Sequence, residues 1–115
     1  LCALRALIYL TLLGKQGLQE VALLCAKKAA YAQQRLCAIP GVSLKYNAPF
    51  FNEFVLELPV AAATVTERLL QRGFAAGYPL DRYYEGATNS LPVAVTEKRS
   101  AAEIDGLATA LAEVL

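Results

Sequence analysis

The pattern of apolar and polar positions opens with a block that is apolar on nearly every side. From Leu1 to Leu13 only Arg5, Tyr9 and Thr11 interrupt it, and a helix that is hydrophobic all round is a buried one. The block is too short to span a bilayer, which takes about 20 residues. Arg5 lies inside it and no small-residue cleavage pattern follows before Gly14, which argues against a secretion signal. One domain of 115 residues can hardly cover every side of such a helix. A missing part of the protein, or a partner, is therefore expected to pack on it. Gly14 predicts the end of this first helix.

A second, longer helix is predicted from Gly17 or Leu18 to Leu36 or Ala38. Leu18, Val21, Cys25, Ala29, Ala32 and Leu36 recur at spacings of three or four and form one apolar stripe. Glu20, Lys27, Lys28, Gln33, Gln34 and Arg35 fall mostly off it. Pro40-Gly41 ends the helix, because Ile39 before a proline is pushed out of the helical region. A short extended piece, Val42 to Lys45, and an aromatic loop, Asn47 to Asn52, follow. Glu53 to Leu58 alternates as a strand does, with Phe54, Leu56 and Leu58 on one side. Ala62, Val65 and Leu69 mark a helix that stops at Gly73. Phe74 to Tyr78 reads as a short strand or extended segment, and Pro79 to Asn89 as a polar loop. Leu91 to Thr96 is the next strand, with Pro92 suited to an edge. Ser100 and Glu103 form a capping box, opening a helix with a stripe of Ile104, Leu107, Leu111 and Val114 or Leu115. The predicted fold class is α+β: a small mixed or antiparallel sheet with helices on one face.

Composition changes this picture in three ways. The hydrophobic fraction is 57% and the charged fraction 18%, against about 45–50% and 25% in average globular chains. That excludes a disordered chain and fits either an unusually buried domain or a piece of something larger. There is no Met and the chain opens on Leu1, so a fragment is expected. The net charge is +1 with no basic run, so the clustered positive footprint of a nucleic-acid binder is absent.

Candidate chemistry is sparse. The absence of His removes His-based triads, the commonest metal ligand and the commonest general base. Cys25 and Cys37 lie about 18 Å apart along one helix, too far to bond. With Cys2 they read as buried apolar thiols in a reducing cytosol. Glu53 and Glu57 share a strand face about 13 Å apart, beyond the spacing of a glycosidase pair, and read as a solvated face. A Schiff-base lysine must be desolvated. Lys27 and Lys28 fall on a polar helix side and Lys15 and Lys45 in connections. Only Lys98, after a strand, stands where sites are often built. Asp81, Arg82, Tyr83 and Tyr84 gather in one loop of the kind that lines interfaces.

Four strings carry more information: LCALRALIYLTLLGK at 1–15, NAPFFNEF at 47–54, GYPL at 77–80 and VAVTEKR at 93–99. In this order they resemble the C-terminal part of subunit 1 of bacterial glycine dehydrogenase (decarboxylating), the P-protein of the glycine cleavage system, over nearly the whole chain. The resemblance implies an aspartate-aminotransferase-like fold (pyridoxal-phosphate fold type I). This chain would be its small C-terminal domain, with residues 1–14 as a junction helix to the absent large domain and 15–115 as the small α+β domain. It implies a cytoplasmic heterotetramer with subunit 2, which carries the pyridoxal-phosphate lysine. That enzyme decarboxylates glycine and passes the aminomethyl group to a lipoyl carrier protein. No lysine here matches the cofactor motif, so no catalytic, cofactor-binding or metal-ligating residue is carried over. Asn52, Glu53, Glu97 and Lys98 match the strings at strand ends and are expected at the active-site rim or a subunit interface. Pro92 departs from the family pattern, which leaves the edge pairing of its strand in question. By itself the fragment is expected to be inactive and to self-associate. The alternative is a stand-alone, non-catalytic α+β interaction or regulatory module.

Overall fold

The computed structural model describes residues 1–115. Its first element, α1 (Cys2–Cys37), is a long helix broken at Gly14, where φ is 61° and ψ −173°. Left-handed backbone of this kind costs glycine little, so the expected stop becomes a kink and the chain resumes helix at once. Three strands follow: β1 (Ser43–Leu44), β2 (Glu53–Glu57) and β3 (Ser90–Ala94). They form one antiparallel sheet in the order β1-β2-β3. The helices α2 (Ala62–Gln71) and α3 (Ala101–Val114) complete the fold.

The core lies on one face of the sheet. Phe54, Leu56 and Leu58 from β2 and its exit meet Leu91, Val93 and Val95 from β3 and its exit. Against them pack Ala29, Ala32 and Leu36 of α1, Ala62, Val65 and Leu69 of α2, and Ile104, Ala108, Leu111 and Val114 of α3. The α+β class, the antiparallel alternative and the placing of helices on one face therefore hold. So does the capping box: Ser100 Oγ accepts the Glu103 N–H, and the Ser100 N–H donates to the Glu103 carboxylate at 2.7 Å.

Three expectations are narrowed or corrected. Of the two readings of Phe74 to Tyr78, strand or extended segment, the second holds: it joins no ladder, and the sheet has three strands. This segment instead runs beside the outer edge of β3. At Gly77, where φ is 155°, a Cβ would stand 2.0 Å from the Pro92 carbonyl oxygen. Only glycine permits that approach. The helical spacing puts Leu18 in the core stripe of the long helix, but it is 47% exposed; the first buried residue of α1 is Cys25. The stripe is right from Cys25 onward and runs out before it, because the sheet and α3 do not reach that far. Third, the cysteines do not share one environment: Cys25 is buried, Cys37 half-buried and Cys2 exposed.

Pro92 sits in the middle of β3, opposite Val55. The Val55 carbonyl accepts the Lys45 N–H at 2.9 Å, so the polar groups of Val55 face β1. Those of Pro92, across a non-hydrogen-bonded pair, face away from β2. The missing proline N–H thus falls on the outer edge, where no ladder bond is lost.

The N-terminal half of α1 projects from the packed body. The radius of gyration is 15.7 Å, where a compact chain of this length has about 13 Å. The accessible area is 7513 Å², where a compact chain of this mass exposes about 6,100 Å². Leu4, Leu7, Ile8, Leu10 and Leu12, and beyond the kink Leu18, Leu23 and Leu24, all stand exposed.

Candidate functional site

The N-terminal end of β2 and the C-terminal end of β3 meet at one end of the sheet. Glu53 stands opposite Ala94 in the ladder. Just beyond it the Asn52 carbonyl accepts the Val95 N–H at 2.9 Å. The chain then turns through Thr96 to Arg99, closed by the Arg99 N–H donating to the Thr96 carbonyl at 3.2 Å, and enters α3 at Ser100. Asn52, Glu53, Glu97 and Lys98 are therefore gathered at one sheet end, although more than forty positions separate the two pairs.

Their surroundings differ. Glu53 and Lys98 are exposed; Asn52 and Glu97 are half-buried. The Glu97 carboxylate accepts the Cys25 Sγ–H at 3.3 Å. Its backbone carbonyl accepts a hydrogen bond from Lys28 Nζ. The thiol hydrogen bond, followed by that of its own backbone N–H, holds Glu97 below the usual carboxylate range. It is an ionised acceptor at neutral pH. Lys98 takes part in none of the chain's ion pairs.

Two hollows run along the outer edge of β3 from this point. One, of about 340 Å³, is lined by Phe74, Val93, Val95, Ile104 and Leu107 with Arg99 and Glu103. The other, of about 290 Å³, is lined by Glu53, Gly77, Tyr78 and Pro92. Ala75, Ala76, Val93 and Ala94 belong to both, so the two form one trough. Arg99 donates to Glu103 at 3.2 Å, and the Ser100 backbone N–H, ahead of the Ser100 hydroxyl, holds Glu103 below the ordinary carboxylate range.

The sheet's opposite face carries a second polar group. Lys45 Nζ donates to Glu57 Oε2 at 3.0 Å and to Ser90 Oγ at 2.6 Å, while Ser90 Oγ donates to Glu57 at 3.0 Å. Ser90 is fully buried. The reading of Glu53 and Glu57 as a solvated face thus holds for Glu53, while Glu57 is half-buried and paired with Lys45 and Ser90. Lys28, placed by its helical position on a polar side, instead crosses to Glu97. Tyr46, Tyr78 and Tyr84 border an open hollow beside this group. The loop of Asp81, Arg82, Tyr83 and Tyr84 forms a 3-10 turn (Leu80–Arg82), all four residues exposed, with Tyr78 and Tyr83 edge-to-face at 6.1 Å.

No local pattern announces these polar links, because their partners are 12 to 72 positions apart. A carboxylate just after a strand and a lysine one helical turn from a cysteine were the available signals. No lysine is both desolvated and free. Lys15, Lys27 and Lys98 are exposed, Lys28 is held by Glu97 and Lys45 by Glu57 and Ser90. The residues present do not fit a Schiff-base site for an aldehyde cofactor. No helix is long and apolar enough to cross a membrane.

Comparison with known proteins gives this geometry a context. The family model described as "Glycine cleavage system P-protein" matches residues 1–111. The chain is 50% identical over 115 residues to the "Probable glycine dehydrogenase (decarboxylating) subunit 1" of Moorella thermoacetica, covering 100% of this chain and 26% of that protein. It is 54% identical over 112 residues to the protein of the same name from Chlorobium limicola, covering 97% and 25%. Among solved structures, the crystal structure of glycine decarboxylase (P-protein) of the glycine cleavage system, in inhibitor-bound form, aligns with a TM-score of 0.83 at 38% identity. That alignment covers 94% of this chain and 24% of the other. The chain spans about a quarter of the length of the curated relatives it matches.

Proposed function

From the premise that the chain belongs to the glycine cleavage system P-protein family, we propose that it is the C-terminal, small-domain part of glycine dehydrogenase (decarboxylating) subunit 1. In this reading the subunit works in the cytoplasm with subunit 2. Together they decarboxylate glycine and transfer the aminomethyl group to a lipoyl carrier protein. The observation that carries the reading is the match of the whole chain, at 50% identity, to a protein named as that subunit.

The small-domain placement of an aspartate-aminotransferase-like fold draws support from the projecting helix. Leu7 is 62% and Leu12 81% exposed, and apolar surface of this extent marks a packing site. Residues 1–14 then form the junction to a large domain, and the interface continues past the kink over Leu18, Leu23 and Leu24.

Pyridoxal phosphate supplies the electron sink for decarboxylation in such an enzyme. Its anchoring amine is assigned to the partner subunit, as the family resemblance implies; this chain has no fitting lysine. This chain contributes surface and orientation. Asn52, Glu53, Glu97 and Lys98 form the rim of the active site or the subunit contact, with Glu97 as a fixed anion and Lys98 as a free cation. The isolated chain is then inactive.

The test pairs the complete subunit with purified subunit 2 and a lipoyl carrier, and follows association and glycine-dependent CO2 exchange. Activity only with both subunits is expected. No association and no exchange would overturn the reading and favour a stand-alone interaction module.

A further inference from the structure

Cys25 and Lys28 are one helical turn apart on α1, so their side chains leave the same helix face. Both end on a single residue, Glu97, 72 and 69 positions away. Cys25 Sγ–H donates to the carboxylate and Lys28 Nζ to the backbone carbonyl. On its other side the same turn is tied by the Arg99 N–H to Thr96 and by the Ser100–Glu103 capping box. Within the turn, the Lys98 side chain is exposed and outside every ion pair.

We infer that Cys25 and Lys28 are positioning residues that lock the Glu97–Lys98 turn to α1, so that the helix sets where this rim segment stands. The strand alone does not, since β3 ends at Ala94, before the turn begins. The two contacts are complementary. One grips the side chain and the other the main chain, which removes both rotation of the carboxylate and hinging of the peptide. Because the helical segment after the Gly14 kink also carries the exposed Leu18, Leu23 and Leu24, anything that packs on that segment is connected to Lys98 through two side chains. The functional part of this inference rests on the proposed rim role of Glu97 and Lys98; the locking itself does not.

The test separates the two. In the complete subunit, Lys28→Met and Cys25→Ala each remove one donor. Lys28→Arg and Cys25→Ser keep a donor at the same place. Hydrogen exchange at the Arg99 amide reports on the turn, and exchange at Leu111 reports on the core. The expected result is about tenfold faster exchange at Arg99 in Lys28→Met and Cys25→Ala, the loss of one hydrogen bond's worth of local protection. Exchange at Leu111 should be unchanged, and Lys28→Arg and Cys25→Ser should restore protection at Arg99. Unchanged exchange at Arg99, or equal acceleration at Leu111, overturns the locking role. Acceleration confined to Arg99 supports it. If glycine-dependent CO2 exchange with subunit 2 is then unaltered, the locking stands and the rim role of the turn fails.

Discussion

The hydroxyl of Tyr31 donates to both carboxylate oxygens of Asp105, at 2.8 and 3.0 Å. This contact fastens α1 to α3, and Arg35 Nε reinforces it at 2.6 Å.

It makes stability depend on pH in a definite direction. The Tyr31 hydroxyl, then the Arg35 guanidinium, hold Asp105 below the usual carboxylate range. Its folded value lies below its unfolded one, so its contribution is complete above about pH 4 and is lost as pH falls through the folded value. Glu97 and Glu103 act the same way. Tyr31 moves oppositely, raised first by its hydrogen bond to Asp105. Its contribution is complete below about pH 10 and fades as alkali deprotonates it. Thermal melts of wild type and Asp105→Asn across pH 2–7 should converge towards acid pH. Parallel curves would contradict the contact.

Gly77→Ala should destabilise the fold by about 1–3 kcal/mol, because its Cβ meets the Pro92 carbonyl at 2.0 Å. Gly73→Ala has nothing within 4 Å and only its φ of 85° against it, so about 1 kcal/mol is expected. Urea denaturation of the two variants should rank them in that order.

Leu56→Ala should cost about 2–5 kcal/mol, since Leu56 is fully buried at the centre of the sheet. Leu12→Ala, at a site exposed in this chain, should shift the chain's own stability by less than about 0.5 kcal/mol. Equal effects in denaturant titration would place Leu12 inside the core.

The uncovered helix face should make the isolated chain self-associate. Sedimentation is expected to find dimers or larger species, and Leu7→Glu with Leu12→Glu should return it towards monomer. A monomer at high concentration without these changes would contradict the expectation.

Much of this architecture is written in local pattern. The alternation of Phe54, Leu56 and Leu58, the stripe from Cys25 to Leu36 and the Ser100–Glu103 pair each encode a contact within a few residues, and each appears where expected. Gly14 is likewise legible as a break. The edge role of Phe74 to Tyr78 was not, because an extended backbone and a paired one share the same composition. Leu18 looked like core because periodicity says which residues share a face and not where the covering layer ends. The four rim candidates came from matching strings, and their convergence at one sheet end follows from the β2–β3 register. Their anchoring by Cys25 and Lys28 depends on partners about 70 positions away, which no window of sequence contains.

The orientation of Pro92 has a consequence for how this chain can tolerate so much uncovered apolar surface. An exposed sheet edge invites further strands and, with them, fibrous aggregation. Here one edge is a strand of two residues. The other lacks a donor at its midpoint and is occluded by the segment around Gly77. Both edges thus offer little to an added strand. Self-association of the isolated chain is therefore expected at the helix, through side chains, and is expected to be reversible.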